Sequence, residues 1–273
     1  MAELRAGGPG KDGIEALVQP QRVPVGGAET LAPAERIIEV EIGDEAVAYP
    51  ILMLNWHEVI NDVISDRAIA VTYCPLCDSA VVFDRMIDGR SEPIEFGVSG
   101  LLLNSNVLLY DRFDDSLWSQ LDGSAISGPN AGVQLRTLPA RLTTIEGFAA
   151  AHPDGEMVST FIDGSRKPYE QIAARYNGYL RSDDIWFPVP GMGTDLPPMT
   201  LGLGIVADDR AWFITHENAR QNGPITVETS SGTVVVEATP AGMRVIEQPD
   251  GVMTMQSLYY AFSAFHPECE VID

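Results

Sequence analysis

Cys74 and Cys77 are two of only three cysteines in the chain. They lie in Ile69-Ala-Val-Thr-Tyr-Cys74-Pro-Leu-Cys77-Asp-Ser-Ala-Val-Val-Phe-Asp84, a paired-cysteine loop between two strand-like runs. Thiols at this spacing can hold a soft metal as thiolates, cycle between dithiol and disulfide, or pack as small apolar side chains. The segment after the loop separates these chemistries. Thioredoxin-like motifs set the first cysteine at a helix N-terminus, where the macrodipole stabilises the thiolate. Here Ser79-Ala-Val-Val-Phe-Asp-Arg85 comes next, and it reads as a strand. A strand–loop–strand setting is that of a metal knuckle, whose turning amides donate to the thiolates and lower their pKa. A closed structural zinc site would need a second cysteine pair or a histidine pair, and the chain offers neither.

The expected third ligand is His57, in Leu54-Asn-Trp-His57-Glu58-Val-Ile-Asn61-Asp62. Two thiolates and one imidazole suit copper(I) in trigonal geometry, with zinc and a water in an open fourth position as the second choice. The chain is therefore expected to be a soft-metal-binding protein using Cys74, Cys77 and His57. If it is an enzyme, an open position on a thiolate-bound metal favours oxidation or oxygen chemistry over hydrolysis. Three alternatives stand beside this. A thiol–disulfide oxidoreductase would use the cysteine pair alone. A non-catalytic metal carrier would expose its thiols and have no buried pocket, and a merely structural thiol pair would do neither chemistry.

A second polar cluster comprises Asn104, Ser105, Asn106, Tyr110, Asp111, Ser116, Trp118 and Gln120, set among apolar residues. Period-2 alternation puts Asn104, Asn106, Leu108 and Tyr110 on one strand face. That face either lines a pocket beside the thiolates, with Tyr110, Asp111 and Gln120 as candidate catalytic or substrate-positioning groups, or belongs to a solvent-facing hairpin whose Asn and Asp residues make turns. Asp111 with Asp114 and Asp115 could bind a hard cation, although such runs are more often solvated faces.

The elements that must position these groups show a pattern of their own. Ile37 to Pro50 reads as strand, Gly43-Asp44 turn, strand, and Leu201 to Ile214 reads the same way. Ala48-Tyr49 then matches Ala211-Trp212. Val71 matches Val236, and Pro75 matches Pro240, so Thr239 and Gly242 stand where the cysteines stood. Thr144 to Val158 matches Leu258 to Ile272, each a short helix ended by His-Pro and followed by a strand. These matches predict a β-rich α+β fold built on a degenerate internal duplication, with an insertion in the first copy between about Arg85 and Leu138. The expected layout is an N-terminal arm over 1–34, a first repeat over 35–160, a surface connector over 161–200 and a second repeat over 201–273. The repeat also sorts the histidines. His152 and His266 occupy equivalent helix ends and read as structural, while His216 lies in the cysteine-free copy. Cys269 reads as a lone buried thiol.

A net charge of −22 argues against nucleic acid and anionic lipid as partners, because phosphate binding depends on clustered Lys and Arg. No apolar run approaches the roughly 18 residues needed to span a bilayer. The first residues lack the apolar core of a signal peptide, so the expected compartment is the cytoplasm, or the chain is the mature form of an exported protein. No phosphate loop, nucleophile elbow or Rossmann glycine pattern is present, which argues against nucleotide cofactors. The expected partner is a small molecule or a metal donor, and nothing in the sequence fixes an oligomeric state.

The motifs Ala48-Tyr-Pro50, Asn55-Trp-His-Glu58, Asn61-Asp62, Val71-Thr-Tyr-Cys-Pro-Leu-Cys77, Phe83-Asp-Arg85, Phe96-Gly-Val-Ser-Gly100, Asn104-Ser-Asn106, Tyr110-Asp-Arg112, Ser116-Leu-Trp-Ser-Gln120 and Gly123 form a long ordered set. With them the chain, from about Ile37 onward, resembles the prokaryotic family called domain of unknown function 3179. The resemblance implies no assigned activity. Its members usually carry a small residue such as Gly where this chain has Asp78, and often Pro where it has Glu15. Neither departure touches the cysteines or His57. Many relatives look secreted or lipid-anchored, which weighs against the cytoplasmic expectation.

Overall fold

In a computed structural model, which describes every residue except 1–3, 28, 30, 183, 190 and 209, the alternating apolar runs form strands. Five short helices join them among the described residues, giving a β-rich α+β protein. The first hairpin, Arg36–Ile42 with Glu45–Pro50, turns at Gly43, whose φ of 61° suits the missing Cβ. It feeds the helix Ile51–His57, which buries Ile51, Leu52, Met53 and Leu54.

Two large sheets carry the core. The first runs Leu17–Val18, Val59–Ile64, Arg67–Cys74, Ser79–Asp84, Met253–Leu258, Leu201–Ala207, Arg210–Thr215 and Glu270–Ile272, with Thr137–Leu138 also on Ser79–Asp84. The second runs Ile225–Thr229, Gly232–Thr239, Gly242–Glu247, Arg141–Thr144, Arg36–Ile42, Glu45–Pro50, Glu156–Val158 and Arg22–Pro24. Each sheet takes a three-strand meander from one half of the chain and a hairpin with its flanking strands from the other. Both joins are single pairings, Gln256 with Ala80 and Arg141 with Arg244.

The segment between Arg85 and Leu138 supplies most of a third sheet, Leu4–Ala6, Phe96–Leu103, Asn106–Asp111, Leu117–Ser119 and Ala125–Ser127. Its central hairpin is not solvent-facing, because every residue of Asn106–Asp111 is buried. The expected polar face is also shorter than alternation suggests. Asn104 and Ser105 form the turn itself, with φ of 48° and 67°, the pair of positive values that a tight hairpin turn requires.

Two segments carry more structure than their composition signals. Within 1–34, three short strands pair with the sheets. The connector holds the twelve-residue helix Tyr169–Leu180, which buries Tyr169 and Tyr179. Arg166, which precedes the helix, pairs with Glu170 in its first turn. Gly178 and the preceding Pro168 hide this helix in the sequence, since both residues usually punctuate structure. No helix among the described residues is long and apolar enough to cross a membrane.

Candidate functional site

The cysteine loop is a tight connection between Arg67–Cys74 and Ser79–Asp84, closed by the Cys74–Ser79 pairing and by the Cys77 amide donating to the Cys74 carbonyl at 3.1 Å. Asp78 sits at φ 45°, a left-handed conformation that costs an L residue energy unless its surroundings fix it. They do. Tyr73 donates its hydroxyl to Asp78 at 2.7 Å, and Arg36 pairs with the same carboxylate at 3.0 Å. From the second half of the chain the Leu258 amide donates to the Cys77 carbonyl at 2.8 Å. The loop is held from both sides.

Both thiols are fully buried, and their sulfurs lie 3.4 Å apart. Cys74 donates to the Cys77 sulfur, and Cys77 donates to the Ser105 carbonyl at 3.3 Å. The Tyr260 hydroxyl lies 3.6 Å from the Cys77 sulfur and donates to the Leu76 carbonyl at 3.0 Å, which leaves its oxygen free to accept from Tyr179 at 3.3 Å. Burial pushes the Cys74 thiol well above its ordinary value, reinforced by the Cys77 sulfur and only partly offset by the Val107 and Cys77 amides. Among the described residues, neither a helix N-terminus nor a cationic side chain is a main influence on its thiolate. Neither cysteine is in a disulfide.

Beside the loop lies a cavity of about 240 Å³. Its lining includes Leu76, Val107 and Glu58, Tyr176, Trp186 and Arg175 of the connector, and Gly8 and Pro9 of the N-terminal arm. Glu58 caps the helix Ile51–His57 at φ 59° and is 5% exposed. Its main chain is fully used, donating to Leu54 and accepting from Tyr73. Its carboxyl has no hydrogen-bond partner among the described residues. Burial, with the nearby Cys74 sulfur, raises its pKa to about 8. Tyr176 in the same lining is likewise pushed up to about 12 by burial and by Glu58.

The expected ligand set is not gathered in this state. The described residues contain one group of three potential ligand atoms within 4.8 Å of one another, Glu39, Glu41 and His152, and not Cys74, Cys77 and His57. Both His57 nitrogens are engaged elsewhere, Nδ1 with the Glu15 carbonyl at 2.7 Å and Nε2 with the Tyr169 hydroxyl at 3.0 Å. The carbonyl can only accept, so Nδ1 carries the proton and Nε2 accepts from tyrosine. Burial lowers the pKa of this imidazole. Within the Glu39 group, Arg141 pairs with Glu39 at 2.7 Å and His152 with the same carboxylate at 3.2 Å, the pattern of an ion-pair network.

Gln120 does come to the loop. It accepts from Ser79 at 2.8 Å and from Asn106 at 2.8 Å, and donates to Thr72 at 3.2 Å, in a buried network one strand position from the cysteines. Tyr110 and Asp111 do not. They lie at the far end of the same strand, roughly 13 and roughly 17 Å from Asn106 at the usual strand rise. Tyr110 donates to Asp12. Asp111 accepts from the Phe113 amide at 2.8 Å and from Asn130 at 3.0 Å, holding a turn. Cys269 is buried apart from the pair, its thiol pushed up to about 11 by burial.

Sequence reasoning missed Glu58 and the tyrosines Tyr176, Tyr179 and Tyr260. Glu58 stands next to His57 in the chain, but nothing in its spacing announces a buried carboxyl. A family model described as protein of unknown function (DUF3179) matches residues 11–264. Neither a curated protein nor a solved structure matches the chain.

Proposed function

The chain belongs to the DUF3179 family, and within the matched span we propose that Cys74 and Cys77 hold a soft metal ion, copper(I) first and zinc second. One observation carries this reading. Two fully buried sulfurs 3.4 Å apart sit on a strand–turn–strand, and among the described residues neither a cationic side chain nor a helix N-terminus is a main influence on a free thiolate at Cys74. In such a site the thiolate pair is tolerable only when a bound cation replaces the lost protons. Buried thiols beside a cavity also fit a working centre better than a carrier that must hand its metal on. His57 is left out of the ligand set, because freeing it would break two hydrogen bonds. When bound, copper would supply one-electron exchange and zinc Lewis acidity, so an oxidoreductase is the enzyme class the copper reading favours. Elemental analysis of protein purified without chelator tests the proposal. Wild type and His57→Ala should carry about one equivalent, and Cys74→Ser and Cys77→Ser should carry none. Metal-free wild type that takes up neither ion would overturn it.

A second reading is favoured by the closeness of Glu58 to Cys74. Closing the sulfurs from 3.4 Å to a bond of about 2.05 Å releases two protons and two electrons. Glu58, as carboxylate, would take the Cys74 proton, solvent the other, and a quinone-type oxidant the electrons. Thiol counting after mild oxidation of chelated protein separates this reading from the first.

We also infer that the chain descends from a duplication in which one copy kept the thiols. The matching construction of the two large sheets supports this. Thr239, at the position matching Cys74, also supports it: its hydroxyl accepts from the Ala241 and Gly242 amides and closes the turn without sulfur.

A further inference from the structure

We propose that the cavity lined by Glu58 is a binding site for an uncharged, single-ring aromatic molecule carrying one hydrogen-bonding substituent, which meets the Glu58 carboxyl. The carboxyl is the main reason. Glu58 is 5% exposed and lines the cavity, and its carboxyl oxygens are open to that space with no described residue donating to them. Whatever fills the cavity, water or ligand, supplies their hydrogen bonds. Its backbone supports the same conclusion. Glu58 holds a left-handed conformation that asparagine or glycine would adopt at lower cost, and such positions concentrate where a side chain must be aimed.

Size and wall chemistry set the class of ligand. An engineered cavity of about 150 Å³ holds benzene. This one, at about 240 Å³, has room for one ring with a substituent and not for a fused dinucleotide or a lipid tail. Tyr176 and Trp186 supply aromatic surface to the lining, and Leu76 and Val107 supply aliphatic surface. Charge of either sign is disfavoured by the cost of desolvating it in a mostly apolar lining. A cation would in addition meet the Arg175 guanidinium, which lies 5.1 Å over the Trp186 ring. A neutral ring with a hydroxyl or carbonyl fits what remains. Its polar end would meet Glu58, which interacts electrostatically with Cys74, beside the loop residue Leu76.

The cavity and its carboxyl do not depend on a metal, so the test uses the full chain after chelation and fails or succeeds separately from the metal proposal. Phenol, toluene and benzoate are titrated calorimetrically against wild type, Glu58→Leu and Glu58→Gln. Wild type should bind phenol, with benzoate at least about tenfold weaker. The phenol-to-toluene affinity ratio should fall about tenfold in Glu58→Leu and stay within about threefold of wild type in Glu58→Gln, which keeps a hydrogen-bonding head. The proposal is overturned if wild type binds neither ring, or if the ratio is the same in wild type and Glu58→Leu. Toluene binding by Glu58→Leu doubles as evidence that this variant keeps its cavity.

Discussion

Replacing Glu58 by glutamine removes the ionisation of a carboxyl that the fold holds in the wrong medium. Its pKa is raised from 4.5 to about 8, first by burial and then by the Cys74 sulfur. A group that binds its proton more tightly when folded contributes most below its unfolded pKa, and that contribution is lost as pH rises through the folded value. At about 1.4 kcal/mol per pH unit, the loss amounts to about 3 kcal/mol at pH 7 and about 5 kcal/mol once both states are ionised. Glutamine has nearly the same shape and does not titrate. Urea unfolding of both proteins between about pH 5 and about pH 9 should give stability curves that diverge steadily, with the variant gaining on wild type as pH rises. The constant cost of burying an amide shifts the whole variant curve and leaves the divergence intact. Parallel curves would show that Glu58 ionises at an ordinary pH, and that its carboxyl is solvated or paired.

Three other substitutions each test a particular contact. His57→Ala strips the Tyr169 hydroxyl of its acceptor and the Glu15 carbonyl of its donor, so thermal or urea unfolding should show a loss of about 1–3 kcal/mol. Metal content should be unchanged, and its disappearance would return His57 to the ligand set. Gln120→Leu leaves Ser79, Asn106 and Thr72 short of partners in a buried network and should cost about 2–4 kcal/mol; a loss within noise would mean that water replaces the amide. In Gly100→Ala, at φ 75°, the new Cβ would collide with the Pro9 carbonyl oxygen. The arm should lift off the cavity, with a loss of about 1–3 kcal/mol and faster proteolysis near residue 9.

The hairpins were legible because period-2 alternation and a glycine turn leave few other ways to bury the apolar face, as at Arg36–Ile42 and Glu45–Pro50. The strand after the cysteines was legible for the same reason, in Ser79–Asp84. The same rule over-reached at Asn104, where two residues fitting a polar face are instead the turn. The site was harder to read. Cys74 and Cys77 declared themselves by type and spacing, but the environment of Glu58 is made by Pro9, by Tyr176 and by Trp186, which approach it from two distant stretches of chain. No local pattern encodes that approach. His57 illustrates the converse. Its residue type suits a ligand, yet Glu15 and Tyr169, forty and more residues away on either side, engage both of its nitrogens. Tyr110 and Gln120 share one polar cluster in the sequence and part company in space, because the strand Asn106–Asp111 delivers only its first end to the cysteine loop.

X-ray absorption at the metal edge of copper-loaded or zinc-loaded protein reads the proposed centre directly, because it counts the sulfur atoms around the ion. Two sulfur scatterers at about 2.3 Å with no imidazole pattern, unchanged in His57→Ala, and no retained metal in Cys77→Ser are the result expected of a Cys74–Cys77 centre. A shell of nitrogen and oxygen alone, or a spectrum that Cys77→Ser leaves unchanged, would contradict it.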